Sequence, residues 1–386
     1  MALSDLGRNL RRFMKLKNIS IQQLAINSDL GTATLSNILN YKTSPSLATT
    51  EKIAKALSIS TNDLFQDVPK LKTLKYRTNK ITAREIPELD YLQMNIAFWL
   101  QDYAKLEQQL NDTKEFSFNS INIQNPKEAA ERIRQYFKNE FGIPENAPLV
   151  DLIQIIEKCG IKLYILPFGF KQTFGMSVGK IDNGPAIIVN NDSTLSTERK
   201  RFTIAHELGH IILHCKMYLD SEQTENDEME KEADIFAAEV LMPTKAFIEQ
   251  WNDCSALNFV DTVLKVKQYF GVSYITVLHR LCDITGRKDL YKEFCIKYKQ
   301  QTGHDLKNHY EPYSHNCEIG ALDNQPYSAT NESYKIQQDI FRSTRFTDLV
   351  IRSYKEDIIS DEEASRLLNT TIEDVKELTD ETISLG

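Results

Sequence analysis

The pattern of apolar and polar positions divides the chain into a helical start, a mixed middle and a helical end. From Leu6 to about Phe65 the apolar residues fall into five short helical segments. Leu89, Leu92, Ile96, Trp99, Tyr103, Leu106 and Leu110 then recur at spacings of three and four, bordered by Gln, Asp, Lys and Glu, which makes a heptad seam about three heptads long. Two readings of the seam stand: it pairs two copies into a homodimer, or it packs on the domain that follows. Residues 128–139 and 148–159 read as amphipathic helices, the second stopped by Gly160. Three short β-rich runs come next, Ile161–Leu166, Phe174–Val178 and Ala186–Asn190, separated by Gly, Pro and Asn. A helix through Phe202 to His214 follows, then another with an apolar stripe at Ala233, Phe236, Ala237, Val240 and Leu241, stopped by Pro243. The chain stays mainly helical to Arg287, turns polar over residues 300–335, and ends in short helices over 344–378, one of them capped at Ser360.

Composition adds three constraints. At 386 residues with 41% hydrophobic content, two to three domains with real cores are expected. No stretch approaches the roughly 18 consecutive apolar residues of a membrane helix, and no leader-like segment precedes Leu6. The six cysteines lack paired spacing, which suits a reducing cytoplasm, and Cys215 reads as a core residue. Charge is unevenly spread. Residues 1–66 hold eight Lys/Arg and four Asp/Glu, a net of +4, whereas the whole chain carries −8. A basic module on an acidic body fits phosphate contact at one end only.

The chemistry concentrates in His206-Glu207-Leu208-Gly209-His210. A helix turns about 100° per residue, so His206 and His210 share a face and can grip one ion, with Glu207 placed to act as base on a water. Ser196 offers a cap to this helix, and Gly209, unusual in a helix interior, allows close packing against another segment. Catalytic zinc takes three protein ligands and keeps one position open. Glu230, twenty residues beyond His210, is the natural third ligand, and Asp234 on the same face would accept a hydrogen bond from a ligand histidine. Glu232 is the rival ligand, but points about 160° away if Glu230 faces the metal. These acids also belong to a run of eight carboxylates from Asp220 to Asp234, so a solvated charged face is the alternative. His214 extends the row, but three successive turns cannot converge on one ion, so it supports a ligand or simply packs.

HELGHxxLH followed by ExEAxxFAAxxLMP resembles the ImmA/IrrE family of zincin-type metallopeptidases over roughly Lys127 to Pro243. The resemblance implies zinc held by His206, His210 and Glu230, with Glu207 as catalytic base, and a regulatory protein such as a repressor as substrate. The family commonly has Asn where this chain has Asp234. A small sheet leading into the His206 helix fits such a fold, and Ala186–Asn190 is the candidate edge strand that holds extended peptide; the alternative is an internal strand.

Near the start, Ser20-Ile21-Gln22-Gln23 reads as a capping box, a turn near Ser28-Asp29-Leu30-Gly31 follows, and a second helix runs from Thr32 to Asn40. Helix, tight turn, helix is the geometry that sets a recognition helix in the major groove. It resembles the Xre/Cro repressor family over about 60 residues, with Asp29 at the usual turn glycine. Carried across, the pattern puts Thr32, Ala33, Ser36 and Asn37 against base edges and Gln22, Gln23 and Lys42 near phosphates or bases of double-stranded DNA.

The expected architecture is multidomain. An all-α helix-turn-helix domain (1–67) and a helical linker (68–125) precede an α+β zincin-like metallopeptidase domain (126–287), and a mostly helical C-terminal region (288–386) ends the chain. The polar stretch carries His304, His309, His315 and Cys317 without convincing ligand spacing and reads as a loop-rich insert. Two functions are in view: a DNA-binding regulator with a zinc endopeptidase, or a non-proteolytic transcription factor whose metallopeptidase-like domain senses a ligand or metal. The intact Glu207 favours the first.

Overall fold

The computed structural model describes residues 3–76, 82, 85–118, 123–170, 173–219, 226–303, 305–306 and 343–383. The histidines and cysteine of the polar 300–335 stretch lie outside them. The chain forms two units. One contains residues up to Lys72, Thr82–Thr113 and everything from Thr344; the other contains Thr73–Ile81 and Lys114–Ser343.

In the first unit, helices α1 (Leu3–Leu16), α2 (Ile21–Ser28), α3 (Thr32–Leu39), α4 (Leu47–Leu57) and α5 (Thr61–Leu64) match the five predicted segments. They enclose a core of Leu10, Phe13, Leu24, Leu35, Ile53 and Leu57, among others. Side-chain caps start three of them: Ser20 accepts from the Gln23 amide, Ser46 from Thr49 and Ser60 from Asp63. The reciprocal half of a capping box is made at Ser60 and Asp63; the Gln23 side chain instead donates to Asn27, at 2.8 Å.

Helix α6 (Ile86–Gln109) carries the heptad seam. Leu89, Leu92, Ile96, Trp99, Tyr103 and Leu106 are all buried.

The second unit supplies α7 (Pro126–Phe141), α8 (Leu152–Lys158) and the strands β1 (Lys162–Leu166), β2 (Gly175–Val178) and β3 (Ala186–Asn190). Helices α9 (Thr197–Leu213), α10 (Asp227–Leu241), α11 (Thr244–Asp253), α12 (Phe259–Phe270), α13 (Tyr274–Thr285) and α14 (Leu290–Thr302) complete it. The three strands form a sheet in the order β1-β3-β2, with β3 parallel to β1 and antiparallel to β2. This corrects the expectation for Ala186–Asn190: β3 is the central strand, not the edge. All five of its residues are buried, as a run of Ala, Ile, Ile and Val covered on both faces should be. Helix α9 packs against β2 and β3 on one side and α10 on the other. Its first half is anchored by two buried cations. Lys267 Nζ donates to Glu198 at 2.7 Å, and Arg201 donates to the carbonyls of Gly271 and Val150 at 3.1 and 3.0 Å. These contacts fix the axial position of the helix that carries the histidines.

The first unit is closed by α15 (Arg345–Lys355), α16 (Asp361–Leu368) and α17 (Ile372–Ile383). Phe346 of α15 stacks near Trp99 and Tyr103, with ring centroids 5.8 and 5.4 Å apart. Arg345 donates to the buried Glu107 at 3.0 Å, and Arg366 pairs with Asp102 at 3.1 Å. Within the first unit the seam thus packs against the chain's own C-terminal helices. With Leu89 to Leu106 of the seam buried within the chain, the homodimer reading has no support. The architecture is a helix-turn-helix module, an α+β region with a small sheet, and a helical C-terminal region, with 17 helices among the described residues.

Candidate metal centre and nucleic-acid interface

Helix α9 starts at Ser196, whose side chain accepts from the Arg199 amide, and presents His206 and His210 one turn apart. Helix α10 starts at Asn226, which accepts from the Glu228 and Met229 amides, and brings Glu230 opposite them. The ligand atoms of His206, His210 and Glu230 lie within 4.8 Å of one another. His206 Nε2 is 3.1 Å from His210 Nε2 and 3.5 Å from Glu230 Oε2, and His210 Nε2 is 3.6 Å from Glu230 Oε1.

The hydrogen bonds around these groups set the tautomers. His206 Nδ1 donates to Asp234 at 2.8 Å. His214 Nε2 donates to Glu232 at 2.9 Å, so its Nδ1 accepts from His210 Nδ1 at 3.0 Å. Both Nε2 lone pairs therefore aim inward, together with a carboxylate oxygen. Three electron pairs converging this closely repel one another unless a cation lies among them. The spacing suits one: a tetrahedral zinc with bonds of about 2.0–2.1 Å needs donor–donor edges of roughly 3.3 Å. The residues present fit a zinc ion.

Electrostatics agree. Burial disfavours charge on His206, but its bonds to Asp234 and Glu230 outweigh that and push its pKa up to about 10. A proton and a metal ion compete for the one Nε2 lone pair, and the carboxylates of Asp234 and Glu230 draw either cation to it. Burial opposes ionisation of Glu230 too, yet His206 and His210 hold its carboxyl well below the usual carboxylate range. Burial depresses the pKa of His210 and His214, which keeps them neutral as donors of lone pairs.

Glu207 is buried beside this cluster, and desolvation pushes its pKa up to about 7 against the opposing pull of His206 and Ser177. Ser177 Oγ donates to Glu207 Oε2 at 2.7 Å, and Tyr218 OH donates to Ser177 Oγ at 2.8 Å. Strand β2 can lie this close because of Gly175. A Cβ there would sit 2.4 Å from Thr203 Cγ2 and 2.7 Å from Glu207 Oε1. Beside Asp234 a cleft of about 540 Å³ opens, bordered by Phe174, Leu195, Phe202, Ile235, Tyr274 and Ile275.

His206, Glu207, His210, Glu230, Asp234 and His214 are thus brought together. The sequence reading missed three partners. Glu232 does turn away from the Glu230 face, but one turn along it meets His214. Ser177 and Tyr218 come from β2 and a single 3-10 turn, Cys215–Tyr218, and nothing in their local sequence points to Glu207. That turn also corrects Cys215. It is exposed, because α9 ends at Leu213 and the turn that follows buries Met217 and Tyr218 while Cys215 faces outward.

In the first unit, Asp29 takes the left-handed conformation (φ 52°) at the turn between α2 and α3, which Asp tolerates where glycine is usual. Leu35, Ile38 and Leu39 bury one face of α3. Thr32 and Ala33 are exposed on the opposite side, Ser36 and Asn37 half-buried, and Gln22, Gln23 and Lys42 exposed. No helix among the described residues is long and apolar enough to cross a membrane.

Residues 156–282 match the model of a peptidase family described as the IrrE N-terminal-like domain. Residues 9–70 match that of the Cro/C1-type helix-turn-helix DNA-binding domain. No curated protein matches the chain.

Proposed function

We propose that this chain, in which a Cro/C1-type DNA-binding domain precedes an IrrE N-terminal-like domain, is a cytoplasmic transcriptional regulator with zinc endopeptidase activity against another regulatory protein, such as a repressor. The observation that carries the reading is the buried Glu207 carboxyl set beside three converging donors, His206, His210 and Glu230. Those three hold the zinc; Asp234 and His214 orient the two imidazoles. When bound, zinc supplies Lewis acidity, acidifying a water and polarising a carbonyl. Glu207, with a pKa near 7, takes the proton of the attacking water and passes it to the leaving amine. Ser177 fixes the carboxylate for that transfer. The cleft beside Asp234 offers room for substrate side chains.

At the other end, Thr32, Ala33, Ser36 and Asn37 meet base edges in the major groove, while Gln22, Gln23 and Lys42 reach phosphates or bases of double-stranded DNA. The net +4 of residues 1–66 supports this side of the reading.

The test compares wild type with Glu207→Gln for cleavage of co-expressed neighbouring regulators, alongside metal analysis. Both proteins should bind zinc, and only wild type should cut. If wild type binds zinc, cuts no partner, and both proteins regulate the promoter equally, the endopeptidase reading fails and the non-proteolytic sensor stands.

A further inference from the structure

The outer edge of β2 is not open. Lys75 pairs with Ser177 in an antiparallel bridge: the Lys75 amide donates to the Ser177 carbonyl at 2.8 Å, and the Ser177 amide to the Lys75 carbonyl at 3.1 Å. Two residues earlier, Thr73 locks the same register. Its hydroxyl accepts from the Gly179 amide at 3.0 Å, and its amide and hydroxyl donate to Asp182 at 2.6 and 2.7 Å. Thr73 and Lys75 are 2% and 4% exposed. A lysine in a segment joining two domains would ordinarily lie in solvent.

The residue paired with Lys75 is Ser177, whose hydroxyl holds Glu207. This strand edge therefore runs directly beside the proposed catalytic base. Edge strands bind extended peptides through backbone hydrogen bonds that do not depend on the peptide's sequence. Here that backbone surface is taken by the chain itself. Thr73 and Lys75 belong to the second unit, although the chain belongs to the first unit up to Lys72 and again from Thr82.

We propose that the outer edge of β2 is the docking edge for extended peptide substrates and that residues 73–75 are its resident, displaceable occupant, so that the chain masks its own substrate edge. The proposal rests on the peptidase reading, but the surface can be tested without any cleavage. A substrate strand must first release Thr73 from Gly179 and Asp182 and then replace both backbone bonds at Ser177. Whatever draws on the segments flanking residues 73–75 would alter access to the edge.

The experiment uses the full chain carrying Glu207→Gln and a fluorescein-labelled peptide of the sequence Lys70 to Tyr76 as probe, read by anisotropy. Adding Thr73→Val and Lys75→Pro removes the resident's side-chain clip and one backbone donor while leaving β2 intact. Probe affinity should rise at least about tenfold. In hydrogen exchange, the Ser177 amide should lose protection in that variant and regain it with saturating probe. Thr73→Val alone keeps the backbone pairing and should give an intermediate affinity, which covers a failure of the fuller variant to fold. Equal affinities for the parent and Thr73→Val proteins, or no saturable binding to either, would overturn the proposal. If the probe binds as expected while the Thr73→Val, Lys75→Pro protein with Glu207 intact cuts nothing, the docking edge stands and the peptidase reading falls.

Discussion

Gly209 of α9 sits against the backbone of Ala233 on α10: a Cβ on Gly209 would lie 3.2 Å from the Ala233 Cα and 3.1 Å from Phe236 Cδ1. The two helices that carry His206, His210 and Glu230 touch at this point, where a hydrogen fits and a Cβ does not. Gly209→Ala gains about 1 kcal/mol of helix propensity but overpacks a contact that includes backbone, which costs about 1–3 kcal/mol. A net loss is expected, read as a fall in thermal midpoint. Because Glu230 rides on α10, zinc titration should show weaker binding in the same variant. Unchanged zinc affinity would mean the helix spacing does not set the centre.

Glu230→Ala should remove stoichiometric zinc after dialysis, measured by atomic absorption, since two imidazoles alone leave the site a donor short. Retention of one zinc per chain would point to a different ligand set.

Glu232 never approaches the convergent donors, yet it orients His214, which in turn orients His210. Glu232→Ala should lower zinc affinity by roughly 10- to 100-fold, the range for partners that fix a ligand's tautomer. A competition titration against a chelator reads this directly, and an affinity equal to wild type would show that the relay is idle.

Glu207 has a folded-state pKa of about 7 against an ordinary 4.5. The folded chain therefore binds this proton more tightly than the unfolded one. Its contribution to stability is complete below about pH 4.5 and is lost as the pH rises through 7. By the linkage of about 1.4 kcal/mol per unit, the loss reaches at most about 3 kcal/mol. Glu207→Gln should thus stabilise the metal-free protein above pH 7 and leave it unchanged near pH 4. Denaturant curves at the two pH values check this; a gain of the same size at both would assign it to packing.

On the DNA side, Asn37→Ala should weaken binding to the chain's own upstream DNA by about 1–3 kcal/mol and relax preference at one base pair. Lys42→Ala should weaken binding to all sequences and reduce the salt slope by about one. Gel shifts across a salt series separate the two effects.

The helices and strands were legible because their periodicities are strong: the five N-terminal segments, the three β runs and both donor helices lie where the apolar spacing put them. His206, His210, Glu230 and Asp234 were legible for the same reason, since four-residue spacing puts pairs on one face. Strand order was not. A five-residue run of Ala, Ile, Ile, Val and Asn fits an edge or a centre until its neighbours are known. Nor did the sequence show what covers the α6 seam, because Phe346 meets Trp99 and Tyr103 only through tertiary folding. Ser177 and Tyr218 reach Glu207 from distant segments, a juxtaposition no local pattern encodes.

Glu107 and its partner Arg345 stand 238 residues apart in the chain. At the roughly 5–20 residues per second of synthesis, a nascent chain that has made α6 waits on the order of ten seconds or longer for α15. Throughout that interval Trp99 and Tyr103 lack Phe346, while the intervening second unit emerges and can fold as a whole. The helix-turn-helix core, all of it made before α6, has no such wait. A ribosome stalled after Ser343 should accordingly hold a folded second unit and a DNA-binding core above an α6 still sensitive to protease; protection of α6 at that stage would show that another surface shelters it first.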